Sequence, residues 1–198
     1  MNASEEDKLK KQYGIVYDLE RCIGCQACSV ACKIENNVTE GIAWHEVKTV
    51  GGAHVDTPAG VYPNLSMHWV PTLCMHCKDA PCMDVCPSNA ITRRADGIVV
   101  LEPDDCIGLG CKKCTWACPY GVIEVNEQEG VMEKCNLCNH LVDEGKQPAC
   151  VDACVYEATF FGDLNDPQSE ASQKLKEKKA EVQLPERGTD PVVFYSPK

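Results

Sequence analysis

The sequence predicts an α+β chain of two nested modules with long loops and a C-terminal extension, and three observations carry that prediction. Its sixteen cysteines fall into four groups of four. The second and third groups are joined by a strand–turn–strand segment whose grammar recurs after the third. The first and fourth groups bracket that inner unit, with an apolar segment before one and after the other.

The groups are Cys22, Cys25, Cys28, Cys32; Cys74, Cys77, Cys82, Cys86; Cys106, Cys111, Cys114, Cys118; and Cys135, Cys138, Cys150, Cys154. A disulfide framework has no reason to bunch cysteines in fours at two- and three-residue gaps, so the spacing favours metal ligation. Aromatic residues are 6% of the 198, and part of the hydrophobic 44% is cysteine. A conventional greasy core is therefore not expected to organise this chain alone, and ligand binding can supply folding free energy.

Taken in order, Met1 to Gln12 is polar and charged, without the apolar run of a secretory signal or paired arginines. Tyr13 to Leu19 alternates as a strand leading into the first group. Asn36 to Thr72 is a long connection punctuated by Gly51-Gly52, Pro58, Gly60 and Pro63, with strand-like runs at Trp44 to Val50 and Met67 to Val70, and is expected to contact a partner. Ala90 to Arg93, the turn Arg94-Ala95-Asp96-Gly97 and Ile98 to Leu101 form the inner hairpin. Cys118-Pro119-Tyr120-Gly121-Val122-Ile123 repeats Cys86-Pro87-Ser88-Asn89-Ala90-Ile91. After Cys154, residues up to Phe161 supply the outgoing segment. Asp166-Pro167 opens a helix over Gln168 to Ala180, with Asp166 as N-cap, and Val192 to Tyr195 is a short apolar strand that needs a cover. The expected division is an outer module at 13–35 plus 132–162, a connecting segment at 36–73, an inner module at 74–131, and a C-terminal helix and tail at 163–198.

The net charge of −11 argues against a nucleic-acid footprint, and the surplus acid is read as solubility before partner steering. No stretch approaches the roughly 20 apolar residues of a membrane span. The chain is thus expected to be soluble, with no export signal of its own: cytoplasmic, or carried out bound to a signal-bearing partner.

Cys22-x-x-Cys25-x-x-Cys28-x-x-x-Cys32 is the bacterial-ferredoxin pattern, in which three cysteines grip one cubane and the fourth reaches a neighbouring one. Each nested module is accordingly read as ferredoxin-like with two [4Fe–4S] clusters. The second group widens its middle gap with Lys78 to Pro81, and the fourth with Asn139 to Ala149. The third opens with a four-residue gap from Cys106 to Cys111, a spacing shared with plant-type two-iron ferredoxins; Cys118-Pro119 and the pseudo-symmetry with the second group favour a cubane. Gly108 and Gly110 can take positive φ and fold the longer loop aside. Zinc is the alternative for every group, but zinc sites take two cysteines from each of two separated knuckles. His45, His54, His68, His76 and His140 match no ligand spacing and are read as solvated or hydrogen-bonded. Lys33, Lys78, Lys112, Lys113 and Lys134 lie beside the cysteines and are read as surface lysines, with raised cluster potentials as the alternative. No nucleophile, base or phosphate loop is visible, so no catalytic residue is expected.

Asp18-Leu19-Glu20-Arg21-Cys22-Ile23-Gly24-Cys25, Pro71-Thr72-Leu73-Cys74-Met75-His76-Cys77, Ala117-Cys118-Pro119-Tyr120-Gly121, Lys134-Cys135-Asn136-Leu137-Cys138-Asn139-His140 and Gly162-Asp163-Leu164-Asn165-Asp166-Pro167 together resemble the iron–sulfur subunit of the dimethyl-sulfoxide-reductase family of molybdopterin oxidoreductases. The resemblance covers nearly everything beyond Gln12. It implies an electron-transfer subunit of anaerobic respiration, not an enzyme on its own, paired with a large molybdenum- or tungsten-bis-pterin catalytic subunit. A membrane anchor or a soluble donor or acceptor would complete the complex. It also implies the ligand sets: Cys22, Cys25, Cys28 and Cys154; Cys32, Cys135, Cys138 and Cys150; Cys74, Cys77, Cys82 and Cys118; Cys86, Cys106, Cys111 and Cys114. All sixteen positions are cysteine, so four cubanes forming a wire are expected. The lengthened gap of the third group departs from the family pattern. The stretch around Glu35-Asn36-Asn37 and Gly41-Ile42-x-Trp44 is similar to arsenate-type subunits. The rival functions are a free-standing polyferredoxin and a zinc-structured scaffold; against the first, Trp44, Trp69, Phe160, Phe161 and the Val192 to Tyr195 tail are expected to be apolar surface awaiting a fixed partner.

Overall fold

The computed structural model describes residues 11–51 and 57–198, so His54 and Gly52 lie outside the described residues, as does most of the polar N-terminal segment. In chain order the strands are β1 (Tyr13–Tyr17), β2 (His45–Val50), β3 (Ala59–Val61), β4 (Asn64–Ser66), β5 (His68–Leu73), β6 (Ile91–Arg93) and β7 (Val99–Leu101). β8 (Glu124–Asn126), β9 (Val131–Glu133), β10 (Thr159–Asp163), β11 (Glu181–Val182) and β12 (Val193–Tyr195) follow. The helices are α1 (Ala27–Glu35), α2 (Pro81–Asp84), α3 (Lys113–Ala117), α4 (Asn139–Asp143), α5 (Ala149–Asp152) and α6 (Glu170–Glu177). None is long and apolar enough to cross a membrane among the described residues.

β1 organises the largest sheet, whose strand order is β10, β1, β12, β11. It pairs antiparallel with β10, from Tyr13 opposite Asp163 to Tyr17 opposite Thr159, and parallel with β12, from Ile15 opposite Val193 to Tyr17 opposite Tyr195. Alternate side chains of a strand face opposite ways. Ile15 and Tyr17 enter the main core with Leu73, Met75, Ile98 and Met132, while Val16 joins Phe160 and Ala171 in a small second core beneath α6. Burying a side chain of this size is worth about 1.5–3 kcal/mol. The main core also contains Cys74, Cys77, Cys82, Cys114 and Cys135, so ordinary packing and the cysteine sites share one interior.

The apolar tail finds its cover within the chain. β12 lies against β1, the Val192 N–H donates to the Met75 carbonyl at 3.0 Å, and Tyr195 Oη donates to the Pro71 carbonyl at 2.9 Å. The Lys78 and Asp79 N–H groups donate to the carbonyls of Asp190 and Thr189 at 2.8 and 3.0 Å. This corrects the expectation of apolar surface there: Phe160, Val192, Val193 and Tyr195 are interior, and Trp44, Trp69 and Phe161 are half-buried.

The inner hairpin forms as expected, β6 against β7 with Arg93 opposite Val99, and β8 with β9 makes its counterpart after Cys118. The long connection is largely a paired hairpin, β2 on β5 with His45 opposite Leu73, carrying the small β3–β4 hairpin. The expected helix start is displaced. Asp166 Oδ1 accepts from the Gln168 N–H at 2.8 Å in a turn, whereas Ser169 Oγ accepts from the Ser172 N–H at 3.2 Å and caps α6. Ser169 wins because its hydroxyl can also donate to the Asp163 carbonyl at the end of β10, which the Asp166 carboxylate cannot do.

Candidate metal centres

Each cysteine group begins with the same backbone device. The second residue after the first cysteine has positive φ: Gly24 at 70°, His76 at 44°, Gly108 at 88° and Leu137 at 58°. Alternation of right- and left-handed residues turns successive N–H groups towards one side, the concavity that anions and iron–sulfur sites use. The Leu137 N–H accordingly lies 3.3 Å from Cys135 Sγ. Left-handed residues also stand third after Cys86, Cys118 and Cys154, at Asn89, Gly121 and Glu157, each with its N–H on the carbonyl of that cysteine. A bulky residue in this conformation costs of order 1–3 kcal/mol, which the surrounding packing must offset.

The lengthened gap of the third group keeps the device. Gly108 is left-handed, a Cβ on it would stand 2.6 Å from the Gly130 carbonyl oxygen, and its own carbonyl accepts from the Cys111 N–H at 3.0 Å. Gly110 does not take positive φ and faces open space, so the extra residues bulge outwards through Gly108 alone.

The thiols gather around hollows. One hollow is lined by Cys22, Cys25, Cys28 and Cys154 with Ile23 and Pro71; a second by Cys74, Cys77, Cys82 and Cys118 with Val99 and Ile123; a third by Cys86, Cys106, Cys111 and Cys114 with Ile91 and Met132. The three hollows are similar in size. Cys32, Cys135, Cys138 and Cys150 are all buried and act electrostatically on one another. Among the described residues no three His, Cys, Asp or Glu side chains converge on a single-ion site of the kind zinc needs. Four thiols spread around an apolar-walled hollow fit a cubane cluster instead.

Burial dominates the electrostatics. It pushes Cys28 and Cys77 up to about 11 and Cys32 and Cys82 up to about 12, and it holds Cys135 and Cys150 well above the ordinary thiol value, with neighbouring thiols adding to it. Cys86 goes the other way: burial raises it, but the Ser88 hydroxyl and nearby N–H groups more than offset that. Binding to a metal centre would take these cysteines as thiolates and release their protons to solvent.

Two residues, Asn36 and Thr189, are not legible in the sequence as site components, and Lys134 is legible there only as the alternative to a surface lysine. Asn36, at the end of α1, points its amide nitrogen at Cys138 Sγ at 3.5 Å and Cys32 Sγ at 3.9 Å. Thr189 donates to Cys77 from the tail and holds Tyr120 Oη at 2.7 Å. Lys134 corrects the surface reading: it is buried, while Lys33, Lys78 and Lys113 are exposed. Of the described histidines, His45 and His76 are buried, His45 Nε2 lying 2.9 Å from Tyr17 Oη, and His140 meets Glu35 at the surface.

A family model for a 4Fe-4S dicluster domain matches residues 65–164, and one for a 4Fe-4S binding domain matches residues 13–34. A Halobacterium salinarum protein provisionally assigned as a dimethyl sulfoxide reductase iron–sulfur subunit is 46% identical, over 92% of this chain and 78% of its own. The arsenate respiratory reductase iron–sulfur subunit of a Shewanella species is 38% identical, over 92% of this chain and 94% of its own. A tetrathionate reductase subunit of Salmonella typhimurium is 36% identical, over 96% of this chain and 74% of its own. With cysteine-lined hollows, left-handed ligand loops and these relatives together, the chain belongs to the family of iron–sulfur electron-transfer subunits of dimethyl-sulfoxide-reductase-type complexes.

Proposed function

We propose that this chain holds four [4Fe–4S] clusters in two nested ferredoxin-like modules, outer at 13–35 plus 132–162 and inner at 74–131. It relays electrons to or from a molybdenum or tungsten bis-pterin catalytic subunit. The ligands are Cys22, Cys25, Cys28 and Cys154; Cys32, Cys135, Cys138 and Cys150; Cys74, Cys77, Cys82 and Cys118; Cys86, Cys106, Cys111 and Cys114. The carrying observation is that the three cysteine-lined hollows each contain a thiol from a different group, so that the sets cross between distant stretches of chain.

When bound, such clusters take up and release single electrons without breaking a substrate bond. The residues supply the rest. Thiols anchor each site, left-handed loops turn N–H donors inwards, and apolar walls exclude water. The electrostatic influence of Cys28 on Cys150 and of Cys74 on Cys135 supports an order in which the first set neighbours the second and the second neighbours the third. That succession supports a wire in which exposed Cys25 marks one end and the two most buried sets form the middle.

Anaerobic isolation of the native complex tests this reading. About sixteen iron atoms and as many acid-labile sulfides per chain are expected, with a large pterin-bearing subunit co-purifying. Cys154→Ser and Cys25→Ser should remove the same reducible electron-spin signal, and Cys86→Ser a different one. Zinc in place of iron, or loss of unrelated signals in C154S and C25S, refutes the ligand sets. A stable monomer with no pterin-bearing partner would favour the free-standing polyferredoxin.

A further inference from the structure

We propose that the Lys134 ammonium is an internal counter-ion shared by the second and third cysteine sets as ordered above, making the clusters they hold easier to reduce. The inference rests on the ligand sets just proposed.

Lys134 immediately precedes Cys135, and only 3% of it is exposed. Its Nζ donates to the Cys135 carbonyl at 3.1 Å and to the Val99 carbonyl. No ion pair among the described residues includes it. Buried ammonium groups are expensive unless an opposite charge lies close by, and two carbonyl dipoles do not supply a charge.

The compensating charge comes from the cysteines on either side once they bind as thiolates. Lys134 pulls the Cys82 thiol down against the burial that raises it, and Cys82 lines the hollow with Cys74, Cys77 and Cys118. Cys135, next in the chain, belongs to the set with Cys32, Cys138 and Cys150. Val99, whose carbonyl holds the ammonium, lines the Cys74–Cys118 hollow, and Cys74 acts electrostatically on Cys135, so Lys134 sits where the two sets adjoin. A four-thiolate cubane is net negative and becomes more so on reduction; a fixed cation beside it stabilises the reduced form.

The placement is held rigidly. Val99 is clamped from both sides, its N–H donating to His76 Nδ1 at 3.0 Å and its carbonyl accepting from Lys134. His76 itself occupies the left-handed position of the Cys74–Cys77 loop. One strand residue thereby fixes the ammonium relative to the ligand loop of the third set. Lys134 is a positioning and tuning residue, since it touches neither substrate nor a reacting atom.

The test is a redox titration by electron-spin resonance of the anaerobically purified complex carrying Lys134→Met, Lys134→Gln or Lys134→Arg. With iron and sulfide unchanged, the neutral variants should lower two of the four midpoints by at least a tenfold change in the reduction equilibrium, about 59 mV for one electron. Lys134→Arg should leave them near wild type. Unchanged midpoints in fully loaded K134M and K134Q overturn the inference. If the neutral variants load no clusters, K134R decides: full loading at wild-type potentials identifies a charge requirement and supports the inference, and failure to load identifies a shape requirement and ends it. Failure of the ligand sets is seen separately, in the metal content of the unmodified complex and in the cysteine variants.

Discussion

Tyr17 Oη lies 2.9 Å from His45 Nε2, tying the central strand of the main sheet to the hairpin that covers the first cysteine loop. Tyr17 also stacks on Tyr195, with ring centroids 5.4 Å apart, so the pair joins three stretches of chain. Burial lowers His45 to about 4. The unfolded chain, with its imidazole near 6.5, binds the extra proton first on acidification. Stability supplied by neutral His45 is therefore complete above about pH 6.5 and is lost as pH falls towards 4, by roughly 3 kcal/mol. Chemical denaturation of the anaerobic protein at stepped pH should show this slope, flattened in His45→Gln. Equal slopes in the two proteins would contradict it.

The two glycines of the lengthened gap should behave oppositely. Gly108→Ala forces a side chain into a left-handed residue and against the Gly130 carbonyl, for a loss of about 1–3 kcal/mol and weaker retention of one cluster. Gly110→Ala meets no atom within 4 Å and should stay within about 0.5 kcal/mol of wild type. Thermal unfolding with iron quantitation reads both.

Asn36→Ala removes an amide donor from Cys32 and Cys138. Hydrogen bonds to cluster sulfurs raise reduction potentials. One midpoint should fall while iron and sulfide content hold, in an electron-spin redox titration of the variant complex. Movement of all four midpoints would show that Asn36 acts on the fold instead.

Asn126 is fully buried and reads a whole turn: its amide nitrogen donates to Thr39 and Glu133, and its oxygen accepts from the Gln128 and Glu129 N–H groups at 3.0 Å each. Trp44 Nε1 donates to the same Glu133 carboxylate at 3.0 Å. Asn126→Ala should cost roughly 2–3 kcal/mol by stranding these partners, measured by denaturant unfolding.

Periodicity and turn chemistry make part of the fold legible in the sequence. Alternation over Tyr13 to Tyr17 marks β1, and Arg94-Ala95-Asp96-Gly97 between two apolar runs marks the β6–β7 hairpin. These signals are local, so they survive without knowledge of neighbours. Ser169 is not visible as the cap because its advantage over Asp166 lies in a second bond to the end of β10. Lys134 reads as surface because a lysine beside a cysteine looks like any solvated lysine; only the clamp at Val99 reveals its burial. The spacing within a group likewise leaves open which thiol joins from elsewhere, since that depends on how β1 and β10 align Cys22 with Cys154.

The strand from Val193 to Tyr195 bears on biogenesis. Residues 189–196 back the Cys74–Cys77 loop and complete the sheet beside β1, yet they follow every cysteine in the chain. During synthesis all sixteen cysteines therefore emerge before the piece that closes behind them. Until then β1 has one unpaired edge and the loop lacks its backing, so the interior that the cysteines line is closed by the last stretch of chain to be made.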